Sequence, residues 1–382
     1  TAAAVVRVQD PKSGLWYQVL DKPGAKGNYL ESSASCMFTY ALARGVRFGY
    51  LPRSYMANAE RGWRGIQTRF VKTDADGSVT LTGTVQVAGL GGVPYRDGSY
   101  AYYVSSPVVS DDPKGVGAFL LAASEMDLEP DATEGLGRKV LLDAWYNSQT
   151  RQNAAGETVL FHYKWDDYSN SGFSLFGHIL RSYGVQTETL TTAPTAQNLP
   201  DAQFYIIVSP DNPSKNPHPN YMNDADARQV ADWVSKGGTL LLMENDPDNS
   251  DITHLDTLAD IFGVHFNNVL VHHVIGDQFE MGRIDVSTAV PPFTHPHVLY
   301  MKDTCSLALS KGAKPLLVWK GDTLMAVARY GKGTVFAVTD PWLYNEYTDG
   351  RKLPPDYDNF AAGMETVRWL LRQTAAQSAG PQ

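Results

Sequence analysis

The stretch "NYLESSASCMFTYALARGVRFGYL", residues 28–51, places apolar residues at helical spacing behind a start rich in Asn, Glu and Ser. The first turn of a helix leaves backbone N–H groups without partners. Asn28 or Ser32 suits the cap, and Glu31 suits the positive end of the helix dipole. The same N–H groups, with the hydroxyls of Ser32 and Ser33, would also receive a carboxylate from outside the chain. Both readings stand on these residues. Other reactive side chains are sparse. All nine histidines lie after residue 160. His272 and His273 are adjacent, so on a strand they point to opposite faces. His295 and His297 could point the same way, with Asp285 or Asp303 near them in sequence. No HxxxH helix or cysteine cluster accompanies them, so neither metal nor other cofactor is expected. Cys36 falls inside an apolar helical pattern and reads as a buried free thiol, far from Cys305. This pair leaves the compartment open.

The elements that hold these residues change character near residue 135. With 382 residues at 43% hydrophobic, the chain can bury a full core and suggests two domains. The charge balance of 32 basic against 41 acidic residues, −9 in all, argues against nucleic acid or an anionic membrane as partner. It leaves anionic sugars open through a local Arg or Lys cluster. No apolar run reaches the ~18 residues of a membrane helix. No signal peptide is visible, and the start at Thr1 without Met leaves room for a removed leader.

Before residue 135 the pattern is mainly helical. "TAAAVVRVQD" reads as the end of a helix stopped by Pro11, followed by an aromatic loop. After the quoted helix, a second one runs from about Tyr55 to Val71, with Trp63, Ile66 and Phe70 on one face. "GSVTLTGTVQVAGLGG" alternates as a hairpin would, and a last helix runs from about Lys114 to Met126. From Lys139 onward, apolar strands such as "KVLLD", "QFYIIV", "TLLLM" and "TVFAV" alternate with amphipathic helices. That order predicts a parallel α/β sheet. A polar tail follows residue 373.

Two segments, "DPKSGLWYQVLDKPGAKGNYLESSASCMFTYALARGVR" and "GLGGVPYRDGSYAYYVSSPVVSDDPKGVGAFLLAASEM", resemble the C-terminal third of glycoside hydrolase family 105. These are the unsaturated rhamnogalacturonyl hydrolases, related to the unsaturated glucuronyl hydrolases. The resemblance implies part of an (α/α)6 barrel over residues 1–135, with inner helices around a deep pocket. It implies removal of a 4,5-unsaturated uronic acid left by a polysaccharide lyase. The chemistry it implies is vinyl-ether hydration: an acid protonates C4, water adds at C5, and the hemiketal collapses. The family's catalytic aspartate lies in an earlier segment, so the acid and the rest of the barrel are expected upstream of residue 1. The alternative is a non-catalytic carbohydrate-binding or scaffolding module.

On that resemblance, the substrate-binding candidates are Trp16, Tyr17, Tyr29, Glu31, Ser32, Ser33, Arg96, Asp97 and Tyr100, with Lys114 as an outlying one. Each has a plainer reading. Trp16 and Tyr17 either stack on a sugar or cover a helix end. Arg96 and Asp97 either share a sugar hydroxyl or form a salt bridge in an Asp-Gly turn. "SDDPKGVG" reads first as a helix cap.

Residues 136–373 resemble the class I glutamine amidotransferase-like (flavodoxin-like) domains appended to some family 105 hydrolases, through "QFYIIVSPDNP", "VADWVSKGGTLLLMENDPDN" and "GKGTVFAVTDPWLYNEYTDGRKLP". A doubly wound parallel sheet follows from the resemblance. Glutamine hydrolysis does not, because Glu244, Asn245 and Asp246 follow "TLLLM" where a nucleophilic cysteine belongs. The long loop after Asp340 is expected either to reach the sugar pocket with Trp342, Tyr344, Asn345, Glu346 or Arg351, or to pack between domains. The overall expectation is an α plus α/β protein acting on an oligosaccharide. It has no nucleic-acid or membrane partner and is exported to the periplasm or outside the cell.

Overall fold

The computed structural model describes residues 1–128 and 132–378. The chain forms two compact units, residues 1–133 and the portion from Glu134 onward. Of the tail expected at 374–382, residues 374–378 continue the last helix, and 379–382 lie outside the described residues.

The first unit holds helices α1 (Ala2–Arg7), α2 (Ser32–Arg47), α3 (Met56–Arg69) and α4 (Pro113–Met126). Helix α2 packs against both α3 and α4. Its apolar stripe buries Cys36 beside Leu15, Ile66, Phe70 and Ala122, and Leu42 and Ala43 beside Trp16 and Ala59. Cys36 is free and fully buried. Gly62 lets α3 approach closely, since a Cβ there would stand 2.5 Å from Thr39 Oγ1. Helix α4 begins with Asp112 capping Lys114 N–H and with Pro113 in its first turn. A buried ion pair joins α2 to α4. Arg47 donates to Glu125 from Nε at 2.6 Å and from Nη2 at 2.8 Å, and both residues are about fully buried.

The expected hairpin over residues 77–92 is divided between two ladders. Val79–Leu81 pairs with Val71–Thr73, and Thr84–Val85 pairs with Val108–Val109. Gly83 accounts for the split. It adopts φ +83° against the Phe70 ring, where a Cβ would lie 2.5 Å from the ring, and turns the chain into a second ladder. Val71, expected to end a helix, therefore opens a strand.

The second unit is built on a seven-stranded sheet. Its strands are β1 (Lys139–Asp143), β2 (Gln186–Leu190), β3 (Phe204–Val208), β4 (Thr239–Met243), β5 (Lys314–Trp319), β6 (Asp322–Tyr330) and β7 (Gly333–Val338). They lie in the order β5-β6-β7-β4-β3-β1-β2. Strands β2, β1, β3, β4 and β7 run parallel, and β6 and β5 join as antiparallel edge strands. The unit also holds helices α5 (Ser174–Ser182), α6 (Asp224–Ser235), α7 (Ile252–Ala259) and α8 (Asn359–Ser378).

Alternate residues of the central strands serve opposite faces. Tyr205, Ile207, Leu240 and Leu242 meet Val230 and Val234 of α6 and Leu255 and Leu258 of α7. Phe204, Ile206 and Leu241 meet Phe176 and Leu180 of α5 and Val367 and Leu370 of α8. Burial on both faces explains why β3 and β4 are continuously apolar. Three antiparallel ribbons lie outside the main sheet: Thr150–Gln152 with Thr158–Leu160, Val264–Val271 with Thr304–Leu309, and Arg283–Val286 with His297–Tyr300. Among the described residues, no helix is long and apolar enough to cross a membrane.

Glu125→Ala would remove the buried carboxylate that accepts from Arg47 Nε and Nη2, at a cost of about 3–5 kcal/mol, the range for breaking a buried ion pair. Hydrogen exchange on the full chain should then show lost protection in α2 and α4 amides. Unchanged protection would show that the pair does not anchor the two helices.

Candidate functional site

A groove of about 400 Å³ opens in the first unit. Tyr17, Glu31, Ser33, Gln86, Tyr103 and Lys114 contribute to its wall. The preceding loop is folded against α2 by an isolated bridge between Tyr17 and Leu30. Asn28 staples that loop: its Oδ1 accepts from Val19 N–H, and its Nδ2 donates to the carbonyls of Val19 and Lys22. It therefore does not cap the helix.

Glu31 is the cap. One carboxylate oxygen accepts from Ala34 N–H at 2.6 Å, and the other accepts from Val85 N–H at 2.9 Å. Ser33 Oγ donates within 3.0 Å of both. The residue is 1% exposed. The helix opening is thus filled by a carboxylate of the chain itself, where Asn28 or Ser32 was expected. Ser32 instead bonds Thr84 Oγ1 at 2.7 Å, out of contact with solvent.

The remaining candidates scatter around this centre. Trp16 is fully buried and donates from Nε1 to Val5 O of α1 at 2.8 Å, so it covers a helix end and has no face for a sugar. The Tyr29 hydroxyl is buried with no partner among the described residues, and burial, then the Glu31 and Tyr103 charges, push it up to about 12. Arg96 donates from Nε to Gly91 O at 2.8 Å, over Gly89 and Gly92, where added Cβ atoms would crowd its guanidinium. Asp97 accepts from Ser99 N–H, and that bond holds its carboxyl below the usual range. No Arg96–Asp97 ion pair forms among the described residues. Tyr100 donates to Lys26 O and lies under Lys22.

The groove therefore unites Tyr17, Glu31 and Ser33 with Lys114. Lys114 reaches Gln86 O at 2.8 Å and Asp112 at 2.9 Å. The contributions of Phe38, residues 85–88 and Tyr103 escape the sequence reading. Their signal is weak, because the strand Thr84–Val85 is only two residues long.

In the second unit, Trp342, Tyr344 and Asn345 are buried. Asn345 binds Leu175 N–H and Ser174 Oγ through Oδ1, and donates from Nδ2 to the carbonyls of Asp167 and Ser169. Glu346 pairs with Lys352, and Arg351 pairs with Asp349. These partners all belong to the second unit. His295 and His297 do share a neighbour, the Glu365 carboxylate, with Asp358 on the other nitrogen of His297. Asp285 and Asp303 are not those partners. Asp285 pairs with Arg283 and Asp303 with His273. Cys305 sits fully buried within a strand, its thiol pushed well above the ordinary range by burial, with no elbow to present it.

The carboxyl ends of the parallel strands gather buried ionisable groups. Asp143 accepts from Tyr146 N–H and the Tyr205 hydroxyl, each at 2.7 Å, and burial pushes it up to about 6. Lys164 donates to Asn147 Oδ1 and His162 O, and burial pulls it down to about 8. Glu244, after β4, and Asp340, after β7, are both pushed up to about 8 by burial.

The first unit has known counterparts. Residues 1–128 match the family model of Glycosyl Hydrolase Family 88. They are 43% identical over 128 residues to Protein Atu3128 of Agrobacterium fabrum and, equally, to the 24.9 kDa protein in picA locus of Rhizobium radiobacter. Each match covers 32% of this chain and 55% of the relative. The chain thus spans about half the length of these curated relatives. A solved glycoside hydrolase from family 105 of C. acetobutylicum is 51% identical over 32% of this chain and 34% of its own, with a TM-score of 0.32. Residues 1–128 are thus similar in sequence to a glycoside hydrolase family.

Glu244 and Asp340 make the second unit sensitive to alkali. Their folded values near 8 exceed the ordinary 4.5 and 3.8. The folded state therefore keeps protons that the unfolded chain releases. Their stabilisation is complete below those ordinary values and is lost as pH rises through about 8. Glu244→Gln and Asp340→Asn should each unfold at higher temperature than the parent at pH about 9 and close to it at pH about 4, a window set by this linkage. Equal differences at both pH values would contradict the assignment.

Proposed function

We propose that residues 1–128 supply the sugar-binding groove of a glycoside hydrolase that releases 4,5-unsaturated uronic acid from the non-reducing end of lyase-generated pectic oligosaccharides. The observation that carries this reading is the convergence of Tyr17, Ser33 and Lys114 on one groove within the segment that matches the family. The Tyr17 ring suits the apolar face of a sugar. Among the described residues, the Lys114 ammonium is the only cation lining the groove, and it suits the uronate carboxylate. Rhamnogalacturonan fragments are the substrate class proposed, within a helical barrel of which α2, α3 and α4 form part. The second unit is proposed as an amidotransferase-like accessory domain.

Vinyl-ether hydration needs a proton delivered to C4 and a water oriented at C5. Among the described residues, Glu31 is the only carboxylate lining the groove, and both its oxygens are already occupied as acceptors. Its proposed part is to hold Ser33 and the Val85 backbone in place. A proton donor is therefore not assigned among the lining residues. The same fact favours a second reading, a carbohydrate-binding module that retains the groove without the turnover.

The test incubates the full chain with an unsaturated uronyl disaccharide, followed by the ultraviolet absorbance of its conjugated double bond and by calorimetry. Loss of absorbance supports the hydrolase, binding without loss supports the module, and the absence of both loss and binding overturns both readings. Lys114→Met should weaken binding about tenfold or more, the value of a charge-assisted hydrogen bond of ~1.5–3 kcal/mol. Undiminished affinity in that variant would remove Lys114 from the site.

A further inference from the structure

The second unit brings two aspartates and a histidine to one point. Asp256 lies in α7, and Asp260 opens the short 3-10 turn Asp260–Phe262 that continues it. Their four-residue spacing puts both carboxylates on one face. Gly263, at φ +77°, then reverses the chain, and a Cβ there would meet Ser310 O at 2.3 Å. The strand Val264–Val271 that follows carries His265 back to the same face.

The geometry is that of a shared centre. His265 Nδ1 lies 3.0 Å from Asp260 Oδ1 and 3.3 Å from Asp256 Oδ2, and the three atoms all fall within 4.8 Å of one another. Ligand atoms ~2.1 Å from one ion stand about 3.0 Å apart at a right angle and about 3.4 Å apart at a tetrahedral angle. Both observed separations from the nitrogen fit that range.

A proton does not account for the arrangement as well. One imidazole N–H points along one line, and the hydrogen bond here is to Asp260. Asp256 has a side chain only 10% exposed, and its Oδ2 is aimed at the same nitrogen with no hydrogen bond assigned to it. Its other oxygen is fixed by Phe266 N–H at 2.9 Å, a support of the kind that orients metal ligands. Lys311 directs its ammonium to the Asp260 backbone carbonyl at 2.7 Å and not to either carboxylate.

We propose that Asp256, Asp260 and His265 form a binding site for a divalent transition-metal ion. The nitrogen ligand selects zinc, cobalt or nickel over calcium and magnesium, which take oxygen donors. The three atoms border a groove of about 590 Å³ whose wall also includes Asp224 and Asn268, so the remaining coordination positions face water or a small ligand. The ion would tie α7 to the ribbon strand at Val264.

The test uses the untagged full chain after chelator treatment, titrated with Zn2+ by calorimetry and with Co2+ by visible absorption. One ion per chain should bind, with a rise in unfolding temperature and ligand-field bands from cobalt. His265→Gln and Asp260→Asn change exposed side chains and should keep the parent circular dichroism. Each should lose at least about tenfold in affinity, together with the thermal shift. Absence of saturable one-to-one binding would overturn the proposal. So would equal affinity in both variants, which would place the ion elsewhere, for example at His295, His297 and Glu365. Calcium binding as tightly as zinc would overturn the nitrogen-ligand assignment.

Discussion

Both oxygens of one buried carboxylate, Glu31, are committed to backbone and serine donors from two parts of the first unit. The groove depends on this constraint. The bond to Ala34 starts α2, and the bond to Val85 fixes the strand that follows Gly83. One residue on, Gln86 O holds the Lys114 ammonium at the head of α4. A buried carboxylate left short of donors costs more than a neutral group, so the donors and the acid must assemble together. The polar wall of the groove is thus held together by the chain's own bonds, the pre-organisation that the proposed sugar binding would draw on.

That arrangement was only partly legible in the amino-acid order. The helical stripe behind Cys36 and the cap at Asp112 follow from local periodicity and cap chemistry, and the structure has both. The helix start was legible as a polar cap but not as to which residue caps it. Glu31 was chosen by Val85, a residue 54 positions away, and no local rule contains that information. Trp16 shows the same limit in reverse. An aromatic residue on a loop looks available for stacking until the neighbouring helix supplies a carbonyl for its indole N–H.

In the second unit, strands buried on both faces announce themselves as apolar runs, so β3, β4 and β7 could be read directly. The antiparallel ribbons over residues 264–309 could not. Their alternation is interrupted by a register shift between Asn267 and Val271. Partners that meet through α8 were also hidden: Glu365 joins His295 and His297 from about 70 residues away. Asp256, Asp260 and His265 span only ten residues, yet their convergence depends on the left-handed backbone at Gly263. The carboxylate spacing was visible, and the reversal that adds the imidazole was not.

The groove around Glu31 is proposed as the place where an unsaturated uronate binds. Amide chemical-shift mapping of the isotopically labelled full chain, titrated with the unsaturated disaccharide, examines that claim directly. Saturable shifts at Tyr17, Gln18, Ala34 and residues 85–88, the segments that line the groove, are the result expected. Shifts absent from these amides while others in the chain move, or no shifts at saturating sugar, would contradict it.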